Sequence, residues 1–265
     1  MLAQSSPQWK FEVASVKATA VSPNSRPSFP QFGPGGKFTA GIPVRFVIAA
    51  AWNVGFQSVR LTGGPDWISS RESSYDIEAK APEAAFPPGL PANIRLQRER
   101  QMLQAFLEDR FHLKIRVESR ELAVYAVAVA KGGPKMTRAD IEEKDCPAIT
   151  DATAACHAFQ GGRGRGLHAK AATIADMLGF VENWTDRPLV DQTGLQGLFH
   201  VETRGWRDIQ PAQEPAPGTK AEDVYDAADV PTLFEVFDRL GLKLQSQKAA
   251  VEVFVIDRIE RPSVN

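Results

Sequence analysis

The chain has 265 residues, of which 43% are hydrophobic and 24% are charged, a composition typical of a globular protein with its own core. Its formal net charge is −1, from 31 basic and 32 acidic residues that are mixed along the chain, which argues against nucleic-acid binding. The longest nearly uncharged stretch, residues 46–58, is shorter than the ~20 apolar residues that span a bilayer, so we expect no transmembrane segment.

The N-terminal residues 1–6, MLAQSS, contain neither a basic region nor an apolar run. They are similar to the end of a signal peptide, in which a small residue near the cleavage point precedes a polar mature start. We therefore expect a longer natural precursor that is exported to the periplasm or the extracellular space.

Four segments have the apolar spacing of helices. They are residues 43–53, 94–111, 171–184 and 231–240. The first and the last begin at or next to a proline, which suits the first turn of a helix. These four segments are therefore predicted to be the helices of the protein.

Strands are predicted from alternation of apolar and polar residues and from runs of β-branched and aromatic residues. The segments are residues 75–79, 113–117, 123–130, 199–203, 242–244 and 251–256. A hairpin is expected between 113–117 and 123–130, with Glu118, Arg120 and Glu121 at its turn. A second hairpin is expected between 242–244 and 251–256.

Two parts of the chain resemble each other. Residues 111–115 (FHLKI) align with residues 240–244 (LGLKL), and the same shift of 129 positions aligns 122–127 with 251–256. With a small indel, residues 75–78 (YDIE) align with 199–202 (FHVE). A repeat of this kind defines the architecture of a chain.

The repeat predicts an α+β fold of two pseudo-symmetric subdomains, each with helices packed on a mostly antiparallel sheet. Residues 11–133 form the first subdomain and residues 162–265 the second. Residues 134–161 are the connecting loop with both cysteines, and residues 207–229 are a long polar loop inside the second subdomain.

Several motifs carry a resemblance to a known family. They are FEVASVK (11–17), GGKFTA (35–40), GGPDW (63–67), YDIEAKA (75–81), LEDRFHLKIRVESREL (107–122), VYAVAVAKGGPKM (124–136), PLVDQTGLQG (188–197) and VEVFVIDRIERPS (251–263). The chain resembles a large family of exported proteins of soil bacteria that is catalogued as a domain of unknown function. The resemblance implies a signal peptide. Because similar domains are fused to membrane-bound peptidase sensors, it also implies extracytoplasmic sensing or binding, but it implies no catalytic residues.

Cys146 and Cys156 are the only cysteines of the chain. In an exported protein, two cysteines ten residues apart in a loop-like stretch predict a disulfide bond. An alternative is a zinc site formed by both cysteines and His157.

Three residues are candidates for a catalytic or metal site. His168, His200 and Glu202 alternate with apolar residues, so each lies on the polar face of a strand. If their strands pair, the three side chains share one face and could act as an acid–base cluster or hold a divalent metal; no cofactor is otherwise predicted. The alternative is a set of ordinary exposed strand residues. The sequence contains neither an HExxH nor a GxSxG motif.

Four further residues are candidates for ligand binding. Trp67 could be a ligand platform or a cap on the core, and Arg120 carries a charge that its counterpart Ala249 lacks. Asp191 and Thr193 follow an apolar pair and are typical either of a binding loop or of a turn in which their side chains bond backbone N–H groups.

The leading prediction is a non-catalytic, extracytoplasmic module that binds or senses a small molecule or an envelope protein. One alternative is a hydrolase of small esters or lactones, with a site assembled from distant residues. Another is an envelope-assembly protein that pairs through a sheet edge. The hydrolase predicts a pocket with converging titratable groups, the binding module an apolar cleft, and the assembly protein an uncovered edge without a pocket.

Overall fold

The computed structural model describes residues 9–19, 27–146, 156–207 and 230–262. The N-terminal residues 1–6 and residues 208–229 of the predicted polar loop lie outside these ranges. The described residues form an α+β fold with four helices and mostly antiparallel sheets, as predicted. None of the described helices is long and apolar enough to cross a membrane.

The chain divides into two compact units. Unit 1 consists of Met1–Glu121, Lys144–Asp151 and Ala250–Asn265, and unit 2 of Leu122–Glu143 and Ala152–Ala249. These boundaries differ from the predicted subdomains 11–133 and 162–265. Unit 1 includes Ala250–Asn265 from the second predicted subdomain, and unit 2 includes residues 122–133 from the first.

Unit 1 contains the first seven strands and helices and part of two long strands. In chain order the elements up to the first long strand are β1 (Val13–Ala18), β2 (Ser28–Phe32), β3 (Lys37–Pro43), α1 (Val44–Trp52), β4 (Leu61–Gly63), β5 (Ser74–Lys80), α2 (Ala92–Phe111) and β6 (Lys114–Val129). Four of the strands form an antiparallel sheet in the order β1-β5-β3-β2. In β5, Tyr75, Ile77 and Ala79 are buried and the residues between them are exposed, so the inner face of this sheet supports the core.

The two predicted helices of unit 1 are confirmed as α1 and α2. Both end at a residue in the left-handed conformation, Asn53 with φ 52° and His112 with φ 48°. Such a residue stops a helix because its N–H bonds back to the last turn. The apolar face of α2 buries Leu103 and Leu107 in the core of unit 1.

Unit 2 contains a second set of the same kinds of element. They are β7 (Thr137–Arg138), β8 (Gln160–Gly162), β9 (Gly166–Ala172), α3 (Ile174–Val181), β10 (Leu189–Asp191), β11 (Phe199–Glu202), α4 (Leu233–Arg239) and β12 (Leu242–Arg258). Four of the strands form an antiparallel sheet in the order β7-β11-β9-β8. Helix α3 is shorter than predicted, because β9 extends to Ala172 and a capping box at Thr173 fixes the helix start.

The two predicted hairpins are wrong: β6 and β12 are single continuous strands of 16 and 17 residues. Glu118, Arg120 and Glu121 therefore lie inside β6 and at no turn. The segments at which the chain was expected to reverse, VESREL and QSQKAA, contain no Gly, Pro, Asn or Asp, and a tight turn usually requires one of them.

The long strands explain the boundaries of the units. Strand β6 begins in unit 1 and ends in unit 2, whereas β12 begins in unit 2 and ends in unit 1. Within unit 1 the end of β12 pairs in parallel with β4, with Phe254 opposite Leu61. Within unit 2 the end of β6 pairs in parallel with β10, with Tyr125 opposite Leu189.

Candidate functional site

Unit 1 has a charged surface cavity of about 290 Å³ beside the C-terminus of α2. Its lining comes from the last turn of α2, the start of β6 and the end of β12. The lining residues are Glu108, His112, Leu113, Lys114, Arg258 and Glu260. Five of these six side chains are titratable, so this cavity brings together charged groups from two distant parts of the chain.

The end of α2 determines the shape of this cavity. At His112 the backbone leaves the helix, and the N–H of Leu113 donates to the carbonyl oxygen of Leu107 at 3.2 Å. The N–H of Glu260 donates to the carbonyl oxygen of Phe111 at 2.7 Å, which holds the segment after β12 against the helix end. Backbone hydrogen bonds therefore position both walls.

Opposite charges in the cavity are only partly paired. Arg258 Nε donates to Glu260 Oε1 at 3.0 Å, and this hydrogen bond keeps the pKa of Glu260 below its usual value. His112 Nε2 lies 4.0 Å from Glu260 Oε2. Among the described residues, the side chains of Glu108 and Lys114 form neither a hydrogen bond nor an ion pair. One carboxylate and one ammonium are therefore available to a ligand.

A second cavity of about 440 Å³ lies on the outer face of the unit 1 sheet. Its lining includes Val13, Lys37, Glu78 and Lys80, and the Lys80 ammonium is bound to the carbonyl oxygen of Gly35. This cavity is larger but contains no histidine.

The predicted His168/His200/Glu202 group is brought together in part. His168 and Glu202 are opposite each other on β9 and β11, and His168 Nδ1 lies 2.7 Å from Glu202 Oε1. His168 Nε2 lies 2.7 Å from the carbonyl oxygen of Arg165. Both ring nitrogens of His168 are therefore within hydrogen-bond distance of an acceptor inside the protein. His200 is exposed on the same face of β11 and has no hydrogen-bond partner among the described residues.

A buried histidine, His157, contacts the first turn of α3. The sequence analysis considered it only as a zinc ligand. His157, whose side chain is 6% exposed, has Nδ1 2.7 Å from Asp176 Oδ2 and Nε2 3.0 Å from Glu143 Oε1. The hydrogen bond to Asp176 raises the pKa of His157, although burial opposes it. Burial alone would raise the pKa of Asp176, but hydrogen bonds from His157 and Thr173 outweigh it and lower that pKa.

A second buried charge pair lies inside α2 in unit 1. Arg95 Nε donates to Glu99 Oε1 at 2.9 Å, and the two side chains are 8% and 7% exposed. The guanidinium of Arg95 also lies over the ring of Phe86, 4.2 Å from its centre. Burial raises the pKa of Glu99 to about 7, against the opposing effect of Arg95. In the sequence this pair is visible only as an Arg followed four residues later by a Glu. Exposed ion pairs on helices have the same spacing, so the sequence does not show that this pair is buried.

Trp67 and Arg120, two predicted binding residues, contact neighbours in unit 1. Trp67 packs against the core, with its ring edge toward Tyr75 and the guanidinium of Arg261 4.8 Å from its centre. Arg120 is in the middle of β6 and pairs with Glu118 at 2.6 Å. Trp67 thus packs on the core and Arg120 belongs to a surface ion pair, and their roles in ligand binding stay predictions.

Asp191 and Thr193 form a turn at the end of β10. Asp191 Oδ1 accepts hydrogen bonds from the backbone N–H and the hydroxyl of Thr193, both at 2.8 Å. Thr193 Oγ1 in turn accepts from the N–H of Leu195 at 3.1 Å. Their polar atoms are therefore engaged within the turn.

Cys146 and Cys156 are both buried and disulfide-bonded. A disulfide sulfur is not the thiolate that zinc requires.

The fold and the cavity define an α+β protein of two sheet-and-helix units with a charged site at the end of a helix. The chain belongs to the family described as "Protein of unknown function (DUF3738)", which it matches over residues 45–259. No curated protein and no solved structure matches it. The matched region contains all of the helix-end cavity except Glu260, whereas Val13 and Lys37 of the second cavity lie outside it.

Proposed function

We propose that this protein is an extracytoplasmic module that binds a small molecule in the cavity at the end of α2. The observation that carries the proposal is the unpaired charge in that cavity: Glu108 and Lys114 have no partner among the described residues. Unpaired, converging polar groups in a concave site are what a binding site uses to orient a ligand.

Two further observations support this proposal. The cavity lies in the region that the chain shares with its family, so it is the better of the two cavities for a family-wide role. Export is supported by the two disulfide-bonded cysteines, because disulfides persist in oxidising compartments. Export also agrees with the resemblance of the sequence motifs to exported proteins of soil bacteria.

A solute screen read by NMR tests the proposal. The ¹⁵N-labelled full chain is titrated with amino acids, short peptides, sugars and carboxylic acids, and the backbone signals of residues 108–114 and 258–260 are followed. We expect one class of solute to shift these signals, and the shift to be lost in Lys114→Met. Lys243→Met is the matched control, because the repeat alignment matches Lys243 with Lys114 and both lysines are exposed. If no solute shifts these signals, the proposal is wrong.

A hydrolase is the second candidate, because the cavity gathers the titratable groups that the hydrolase alternative predicts. His112 and Glu260 are close enough for one water molecule to bridge them, with 4.0 Å between Nε2 and Oε2. The lining contains no Ser, Thr, Cys or Tyr, so this candidate uses a water molecule that His112 and Glu260 activate. Turnover of an ester or lactone panel that disappears in His112→Asn, which tolerates the left-handed backbone, would favour this candidate over binding alone.

The assembly alternative predicts a sheet edge without a pocket. Strands β1 and β2 are the edges of the unit 1 sheet, but unit 1 also has two cavities. Binding is therefore the better supported role.

We propose in addition that the two units descend from one duplicated unit. The sheet orders β1-β5-β3-β2 and β7-β11-β9-β8 correspond strand for strand. Thr39 pairs with Glu78 in unit 1 as His168 pairs with Glu202 in unit 2, which agrees with the sequence alignment. An alignment of many relatives that failed to align these positions would contradict the duplication.

A further inference from the structure

We infer that the ligand of the helix-end cavity is a small zwitterion, such as a free amino acid or a short peptide with a charged amino and a charged carboxyl group. This inference rests on the proposed binding function and specifies its ligand class. It depends on the signs and positions of the charges in the cavity.

The charges of the cavity are of two kinds. Arg258 and Glu260 are hydrogen-bonded to each other at 3.0 Å, so each largely satisfies the other. Glu108 and Lys114 have opposite signs but form no ion pair with each other, so neither satisfies the other. A ligand with a single charge could satisfy only one of these two groups.

A zwitterion satisfies both. Its ammonium would donate to the carboxylate of Glu108, and its carboxylate would accept from the ammonium of Lys114. Charge-assisted hydrogen bonds of this type are stronger than neutral ones, and like-charge contacts would disfavour the reversed orientation. The positions of Glu108 and Lys114 thereby set the direction in which the ligand lies.

The size and polarity of the cavity restrict the ligand further. Its volume of about 290 Å³ is at the small end of ligand pockets, and Leu113 is its one apolar lining residue. A lipid or a large aromatic ligand would find little apolar surface. A ligand of one or two amino acid residues fits both the volume and the polarity.

Three dipeptide probes test this inference. Glycylglycine carries both charges, N-acetylglycylglycine lacks the ammonium, and glycylglycinamide lacks the carboxylate. Their dissociation constants for the full chain are measured from the NMR shifts of residues 108–114. We expect glycylglycine to bind about tenfold more tightly than either blocked probe, as expected for the loss of one charge-assisted hydrogen bond.

Two substitutions assign each preference to one residue. Glu108→Gln should abolish the preference for glycylglycine over the N-acetylated probe and keep the preference over the amide. Lys114→Met should do the reverse. Asp238→Asn, at an exposed position in the last turn of α4, and Lys243→Met are the matched controls and should change neither preference. All four variants should keep the unfolding temperature of the wild type, since the substituted side chains are exposed.

The outcomes separate the inference from the proposed function. Equal binding of all three probes, or no binding of glycylglycine while another solute binds at the cavity, would overturn the zwitterion inference and leave the binding function standing. If neither the probes nor any solute of the wider screen shifts the cavity signals, both are wrong.

Discussion

Each unit buries one charged cluster, and the two clusters affect their carboxyl groups in opposite ways. Glu99 in unit 1 accepts from one partner, Arg95 Nε at 2.9 Å, and burial raises its pKa to about 7. Asp176 in unit 2 is also mostly buried but accepts from three donors: His157 Nδ1 at 2.7 Å, the Thr173 N–H at 2.9 Å and the Thr173 hydroxyl at 2.6 Å. Burial acts against its charge too, but the donors prevail and lower its pKa.

We infer that the number of donors decides whether the pKa of a buried carboxyl group is raised or lowered. One guanidinium does not compensate for the loss of water around Glu99. A histidine and a helix cap together do compensate for it at Asp176. Four substitutions test this explanation, and they are given in order of decreasing expected effect.

The largest effect is expected from His157→Asn. Removing one partner of a buried ion pair should lower the free energy of unfolding by about 3 kcal/mol, since Asp176 and Glu143 lose their shared donor. Asn tolerates the left-handed φ of 63° at this position, so the substitution tests the charge and not the backbone. Urea unfolding measures the change, and His200→Asn is the exposed control that should cost less than about 0.5 kcal/mol.

The cost of His157→Asn should depend on pH. The pKa of His157 is raised above its ordinary value of 6.5, so its stabilising effect is complete below that value and is lost as the pH rises through the raised pKa. The substitution should therefore cost more at pH 6 than at pH 9. If His157→Asn costs the same stability at pH 6 and pH 9, His157 is not charged in its contact with Asp176.

The second prediction concerns the change in the cost of Glu99→Gln with pH. The folded protein keeps the Glu99 proton up to about pH 7, whereas the unfolded chain loses it near 4.5. Between these values the folded state binds more protons, so the wild type loses stability as the pH rises. Relative to the wild type, Glu99→Gln should gain about 2 kcal/mol from acidic to alkaline pH.

Unfolding curves at several pH values measure this gain. Glu83→Gln is the control, because Glu83 is an exposed glutamate in the same unit. If Glu99→Gln and Glu83→Gln show the same dependence on pH, the raised pKa of Glu99 is wrong.

Thr173→Ala should cost about 1 kcal/mol, the usual effect of removing a helix N-cap. It also removes one of the three donors to Asp176, so the acid limb of the stability curve should move to higher pH. Thr232→Ala removes the same capping box from α4, where Glu235 is fully exposed, and is the matched control. If the acid limb moves as far in Thr232→Ala as in Thr173→Ala, the movement comes from the loss of a helix cap and not from the loss of a donor to Asp176.

The smallest effect is expected from Glu202→Gln. The ion pair of His168 and Glu202 is exposed, with side chains 37% and 61% accessible, and such pairs contribute about 0.5 kcal/mol or less. Thermal unfolding at low and high salt measures it. A loss above about 1 kcal/mol would give this face of the sheet a greater structural role than its exposure indicates.

The helices and most strands of the fold could be predicted from local patterns. Helix α1 follows Pro43, and the alternation in residues 75–79 and 199–203 identified β5 and β11. The continuity of β6 and β12 could not be predicted, because a polar stretch between two strands is compatible with either a turn or a straight exposed strand. Which partner each half of such a strand pairs with depends on the whole fold.

The candidate site was beyond sequence reasoning for a related reason. Glu108 and Lys114 are separated from Arg258 and Glu260 by more than half of the chain, and only the course of β12 brings them together. The partners of His157 are Glu143, 14 residues away, and Asp176, 19 residues away. Local sequence patterns indicate for Asp176 only a place in a helix capping box. The His168–Glu202 contact was predicted on the condition that their strands pair, since alternation with apolar residues placed both on polar strand faces.

The course of β12 also has a consequence for how the protein is made. Glu252 and Phe254 complete unit 1, where the carbonyl oxygen of Glu252 accepts from Arg60 Nε at 3.1 Å across 192 sequence positions. The ribosome makes Glu252 192 positions after Arg60, so Leu61 lacks its strand partner until β12 has been synthesised. Contacts of such long range also make folding slow. Unit 1 therefore lacks part of its strand pairing until β12 has been made.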